Sequence, residues 1–239
     1  MKSDTHGLTL VVVAFNEEQN LERTVEEAIL VIQDLTPAPE IIIVDDGSTD
    51  RTGPLADQLA GRLAWVHALH HDRNLGMGAA LKTGYSAATK AYVTFLPGDG
   101  QIPASGLTAL WNRVLATDAD LVLSHYRKRR DGLHRWVLSK GLRLTTMLVA
   151  GTRVRSEGPY LVRRDVLTRV PLHSDSFFLN LELPIRASRM GLSIQDVELE
   201  VRPRQAGQSK VVSVRKIASV LRDLTALRLR MWRRHQDSR

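Results

Sequence analysis

Two stretches of this chain hold carboxylates where chemistry is expected. The first is Ile41-Ile42-Ile43-Val44-Asp45-Asp46-Gly47-Ser48-Thr49-Asp50. Four β-branched apolar residues in a row read as a strand buried on both faces. Two acids follow at its end, then a glycine turn, then Ser-Thr-Asp, a sequence able to cap a helix. Ionised carboxylates at the mouth of a buried strand are costly unless they bind something. In open α/β sheets the ligand crevice lies outside the carboxyl ends of the strands, which makes Asp45 and Asp46 ligand-facing candidates. The second stretch is Pro97-Gly98-Asp99-Gly100-Gln101, at the end of another apolar run.

The elements that must position these residues alternate. Apolar runs at Leu8–Val13, Ile41–Val44, Leu63–Leu69, Ala91–Leu96 and Asp120–Ser124 read as strands. Between them, helical spacing predicts one helix with Leu21, Val25, Ala28, Ile29 and Ile32 on a face, others over about Asp50–Ala60 and Ala79–Thr89, and one reaching about Ala116. This β-α alternation predicts a mostly parallel α/β sheet with helices on both faces. Beyond Ser124 the pattern changes. Tyr126–Arg135 is a strongly basic loop, followed by a helical segment over about Trp136–Ala150. A short strand is expected at Tyr160–Val162, a helix within Ser176–Met190 and a half-exposed strand over Leu192–Val201.

The chain has 239 residues, 43% hydrophobic and 25% charged, enough for one full core. It has no cysteine, which excludes disulfides and thiolate metal sites and fits a cytosolic protein. No run of about 18 apolar residues suggests a membrane span, and Met1–Gly7 has no signal-peptide core. The net charge of +7 points to an acidic partner. From Arg202 onward there are eleven Lys/Arg against two Asp/Glu, so the surplus belongs to the C-terminal end. There, Ile217, Val220, Leu221, Leu224, Leu227 and Met231 form one face of a basic amphipathic helix over 211–239. Such a helix suits either the domain's own core or a membrane interface. Charge alone supports nucleic-acid binding poorly, and no basic surface interleaved with aromatics is evident. The eight histidines give no metal spacing, and His70-His71 point different ways on an extended chain.

Taken in order, the motifs resemble glycosyltransferase family 2, and within it the branch of dolichyl-phosphate mannose synthases and other polyprenyl-phosphate glycosyltransferases. The resemblance rests on Val13-Ala14-Phe15-Asn16-Glu17, Val44 to Asp50, Arg73-Asn74-Leu75-Gly76-Met77-Gly78-Ala79-Ala80, Gly98-Asp99-Gly100-Gln101-Ile102-Pro103, Arg135 to Ser139, Glu182 to Gly191 and Gly207-Gln208-Ser209-Lys210. It implies a GT-A domain over 1–210 and an inverting transfer of sugar from a nucleotide donor, of GDP-mannose or UDP-glucose type, to polyprenyl phosphate. The expected setting is peripheral, at the cytoplasmic face of a membrane. By the same resemblance Ala14, Asn16, Glu17, Asp45 and Asp46 hold the nucleoside, while Arg73, Gly76 and Gly98 lie along the donor. Asp99 and Gln101 hold Mg²⁺ or Mn²⁺. Arg135, Ser139, Ser209 and Lys210 face the acceptor phosphate or leaving diphosphate.

Two positions depart from the family's pattern, and a third matches it with its role open. The family's Asp-X-Asp metal triplet reads Pro97-Gly98-Asp99 here, so its first carboxylate is missing. A hard cation can use one carboxylate and complete its shell with phosphate oxygens and water. His125 stands where the family commonly has arginine. Glu182 matches a helical acid that would be a general base for a hydroxyl acceptor, or would orient basic partners for a phosphate acceptor. Two alternatives follow: a transferase acting on a soluble hydroxyl, and a nucleotide-sugar or membrane-binding protein that has lost catalysis.

Overall fold

The computed structural model describes residues 7–126 and 156–200, together with Arg222 and Thr225. The expected basic loop at 127–135, the helix at 136–150, the loop at 202–210 and nearly all of the C-terminal helix at 211–239 lie outside the described residues.

Seven strands form one sheet among the described residues: β1 Leu8–Ala14, β2 Pro39–Asp45, β3 Val66–His70, β4 Tyr92–Pro97, β5 Leu121–Tyr126, β6 Leu161–Arg163 and β7 Ile194–Leu199. Their spatial order is β3-β2-β1-β4-β6-β5-β7. β6 runs antiparallel to both of its neighbours and every other pairing is parallel. The helices are α1 Leu21–Leu35, α2 Thr52–Ala60, α3 Met77–Ala87, α4 Gly106–Thr117, α5 Arg164–Arg169 and α6 Leu179–Arg189.

The alternation of side chains along the strands divides the core in two. Leu8, Leu10 and Val12 of β1 and Ile41 and Ile43 of β2 pack with residues of α1, α2 and α4. Val11, Ile42 and Val44 face the other way, toward Leu81 of α3, Val166 of α5, and Leu179 and Leu183 of α6. This is why β2 reads as a continuous apolar run rather than an alternating one. Within the second layer, the Tyr85 and Tyr160 hydroxyls meet at 2.8 Å, and Phe95 packs edge-on to Tyr160.

Element boundaries shift for local reasons. β3 begins at Val66 because Leu63–Trp65 form a turn closed by the Val66 N–H on the Leu63 carbonyl. α2 begins at Thr52 because Asp50 is outside it, with Oδ1 accepting the Thr52 N–H. α6 lies within the expected Ser176–Met190, and it starts at Leu179 because Ser174 and Ser176 take the N–H groups of Ser176 and Phe178 into side-chain turns. No helix among the described residues is long and apolar enough to cross a membrane.

Candidate active site

The carboxyl ends of β2, β1 and β4 lie side by side. Ala14 pairs with Asp45, and Val13 with Pro97. Just past the strands, the Asp46 N–H donates to the Ala14 carbonyl and the Gly98 N–H to the Val13 carbonyl, both at 2.8 Å. The two acidic stretches therefore flank Ala14 at one edge of the sheet, as their positions in the sequence predict.

The loop after β1 is fastened to the loop after β2. Asn16, at a left-handed φ of 52°, donates its N–H to Ser48 Oγ and accepts the Thr49 N–H at 2.8 Å. The Glu17 N–H donates to Thr52 Oγ1, and the Glu18 N–H to Asp50 Oδ2. Burial works to raise the pKa of Asp50. The hydrogen bonds from Thr52 and the Glu18 N–H outweigh it and hold the carboxyl below its ordinary value. Asp50 is thus a turn and helix-entry residue, and the Asn16–Glu17 loop is braced against the loop after β2.

The two neighbouring acids do different things. Asp45 accepts the Ser48 N–H through Oδ1 and faces the His70 ring through Oδ2, at 3.3 Å. It shapes the turn. Asp46 is 2% exposed and collects three donors: the Leu75 N–H and His71 Nδ1 on Oδ1, and the Gly76 N–H on Oδ2. An ionised carboxylate has about four lone-pair positions, so one remains, on Oδ2. The Gly47 turn that follows makes this possible. A Cβ on Gly47, at a φ of +68°, would lie 2.2 Å from the Arg73 carbonyl carbon.

The glycine loop packs closely against another part of the chain. A Cβ at Gly78 would strike the backbone of Ser174, Asp175 and Ser176, at 2.5–2.7 Å. The Asp175 carbonyl accepts the N–H groups of Gly78 and Ala79 at the start of α3. Gly76 donates to Asp46. Arg73, on the same loop, is exposed and makes no ion pair among the described residues. It is the loop's free positive charge.

Glu182 sits on α6, 2% exposed. Its Oε2 accepts the N–H groups of His173 and Ser174, and its Oε1 accepts Arg186 Nε at 2.9 Å. It braces the segment that supplies Asp175 to α3. Asp99 is half-buried, and its Oδ1 accepts the Gln101 N–H at 3.1 Å. No group of three His, Cys, Asp or Glu residues poised for a metal occurs among the described residues. The imidazole of His125 stands 3.5 Å from Asp196 across β5 and β7. Arg135, Ser139, Ser209 and Lys210 lie outside the described residues.

Neither His71 nor the Asp175 carbonyl is among the residues that the sequence motifs single out. Two signals could have pointed to His71. A buried strand-end carboxylate needs donors, and β3 is the strand beside β2, with Asp45 paired to His70. Adjacent histidines then face adjacent acids. The Asp175 contact carries no side-chain signal at all.

The fold and this strand-end crevice define a GT-A glycosyltransferase. Residues 9–178 match the sequence model of Glycosyl transferase family 2, and the chain belongs to that family. It is 30% identical over 220 residues to a polyprenol monophosphomannose synthase of Mycolicibacterium smegmatis, an alignment covering 85% of this chain and 80% of that one. It is 26% identical to an undecaprenyl-phosphate 4-deoxy-4-formamido-L-arabinose transferase of Sodalis glossinidius, over 91% of this chain and 66% of the relative. Among solved structures, glucosyl-3-phosphoglycerate synthase of Mycobacterium tuberculosis, in complex with Mn²⁺, UDP and phosphoglyceric acid, shares the fold. The TM-score is 0.71 and the identity 21%, over 93% of this chain and 77% of that one.

Proposed function

We propose that this glycosyltransferase moves a sugar from a nucleoside diphosphate to a polyprenyl phosphate, with inversion at the anomeric carbon. The observation that carries the choice of acceptor is the state of Glu182. A hydroxyl acceptor needs a general base. Glu182, the candidate base, is 2% exposed, ion-paired with Arg186 and bound to the His173 and Ser174 N–H groups, which supports a bracing role over a proton-accepting one. A phosphate monoester, with its second pKa at about 6, is already ionised near neutral pH and needs no base. Its oxygen attacks the anomeric carbon, the bond to the diphosphate oxygen breaks, and the nucleoside diphosphate leaves. The two curated relatives support this reading, since one is named for making polyprenol monophosphomannose and the other for acting on undecaprenyl phosphate.

In this reading Asp46, with the braced Asn16–Glu17 loop, holds the nucleoside, and Arg73 meets the donor phosphates. The residues at the metal position fit a hard divalent cation. Asp99 and Gln101 offer a carboxylate and an amide oxygen, and a nucleoside diphosphate supplies further oxygens. When bound, the cation neutralises charge developing on the leaving diphosphate. Acceptor-side charge comes from Arg135, Lys210 and the neighbouring arginines, and Ser139 and Ser209 add hydroxyl donors. Contact with the membrane surface through the basic amphipathic segment 211–239 would present the lipid.

A donor panel tests the assignment: GDP- and UDP-sugars with polyprenyl phosphate in detergent, each with Mg²⁺, Mn²⁺ or EDTA. Metal-dependent transfer to the lipid is expected with one nucleotide class. Transfer undiminished in EDTA would remove the metal role of Asp99, and hydrolysis without lipid product would remove the acceptor.

A further inference from the structure

Asp46 is supported from behind by one side chain. The ring of His71, with its side chain 10% exposed, bridges Asp46 Oδ1 through Nδ1, at 2.8 Å, and Thr83 Oγ1 of α3 through Nε2, at 2.9 Å. A carboxylate only accepts, so Nδ1 carries the proton in this contact. In the neutral ring Nε2 then accepts the Thr83 hydroxyl proton. The tautomer is set by its two partners.

The consequence is a count of acceptors. His71 and the Leu75 N–H fill Oδ1, and the Gly76 N–H takes half of Oδ2. The carboxylate cannot rotate without giving up bonds on both oxygens. It offers a ligand one acceptor position, in one direction. The same two amides belong to the loop that carries Arg73.

We infer that His71 is a positioning residue for the donor nucleotide. Clamped between Thr83 and Asp46, it fixes the orientation of the Asp46 carboxylate and the course of the 73–76 loop, and so raises affinity for the nucleoside half of the donor. The inference rests on the proposed reading of Asp46 as a nucleoside contact.

Isosteric substitutions separate this role from mere packing. An asparagine can place an N–H donor near the position of Nδ1, whereas a glutamine places its amide near Nε2. The experiment is calorimetric titration of the full chain with UDP and with GDP, each with Mn²⁺, for the parent and for His71→Ala, His71→Asn and His71→Gln. Circular dichroism and melting curves accompany each variant.

With whichever nucleotide the parent binds, His71→Ala and His71→Gln should raise the dissociation constant about 10-fold, only a part of what a hydrogen bond to a charged group is worth, because this bond is lost in free and bound protein alike. His71→Asn should restore it to within a few-fold of the parent, although it loses Thr83 and fills less volume. If all three variants bind like the parent, or if affinity follows melting temperature rather than the Asn/Gln distinction, the inference is overturned. If the folded parent binds neither nucleotide, the reading of Asp46 fails first. That outcome is distinguishable because the variants then have no affinity to lose.

Discussion

Asp45, Asp46 and Glu182 carry the same functional group and have been given three different tasks by their donors. Asp45 faces a turn amide and His70, Asp46 a loop and His71, and Glu182 two amides and a guanidinium. Glu182→Gln tests the last. Breaking a buried ion pair by neutralising one partner costs about 3–5 kcal/mol, and the variant should lose stability on that scale in urea titrations. On the proposed reading Glu182 abstracts no proton, so the pH profile of the surviving activity should keep its shape. Loss of an ionisation from that profile would restore the hydroxyl-acceptor reading. His70 gives a second, pH-dependent prediction. Burial lowers its pKa, but hydrogen bonds to Asp57 and Asp45 outweigh that and hold it above the ordinary 6.5. A raised folded-state pKa means the contribution is complete below the unfolded value and is lost as pH rises through the folded one. His70→Asn should therefore lower the urea midpoint relative to the parent at pH 5.5 and differ little from it at pH 9. The ring is 38% exposed, so solvent screening keeps the effect small.

The elements extend this bracing across the molecule. α6 holds the 173–174 amides through Glu182, the next residue's carbonyl receives the N–H groups of Gly78 and Ala79, and the loop before α3 donates to Asp46. The donor side and the second half of the sheet are joined by this run of hydrogen bonds. Gly78 is where it is most sensitive, since backbone lies on the side where a Cβ would go. Gly78→Ala should destabilise by about 1–3 kcal/mol, the usual cost of overpacking, and should raise the KM for the donor. A melting curve and donor kinetics measure both. At this scale the sequence was informative about the strands. Val44-Asp45-Asp46-Gly47 announced its own burial, its end and its turn. The helix starts were less legible, because Asp50, Ser174 and Ser176 spend their side chains on turns whose partners are fixed only in the folded chain. Gly76 and Gly78 signalled a close approach in sequence, but a glycine's need for one does not say what approaches. Here it is the 174–176 backbone.

For the whole molecule, the parallel sheet, the placement of acids at adjacent strand ends and the family were all readable from apolar runs and motif order. The assignment of Glu182 was not, because whether a carboxylate serves as base or brace depends on donors remote in sequence. His71 was visible but unassigned, because its pairing with Asp46 follows from the β2–β3 register rather than from its own spacing. The central claim is that the chain joins a sugar from a nucleotide donor to a lipid phosphate, without a protein base and with inversion. Its most direct test is analysis of the lipid fraction after incubation with the productive donor and polyprenyl phosphate, by mass spectrometry and by NMR of the anomeric proton. The account predicts the mass of the polyprenyl phosphate plus one glycosyl residue, in the anomeric configuration opposite to the donor's. An unchanged lipid mass while donor is consumed, or a product that keeps the donor's configuration, would contradict it.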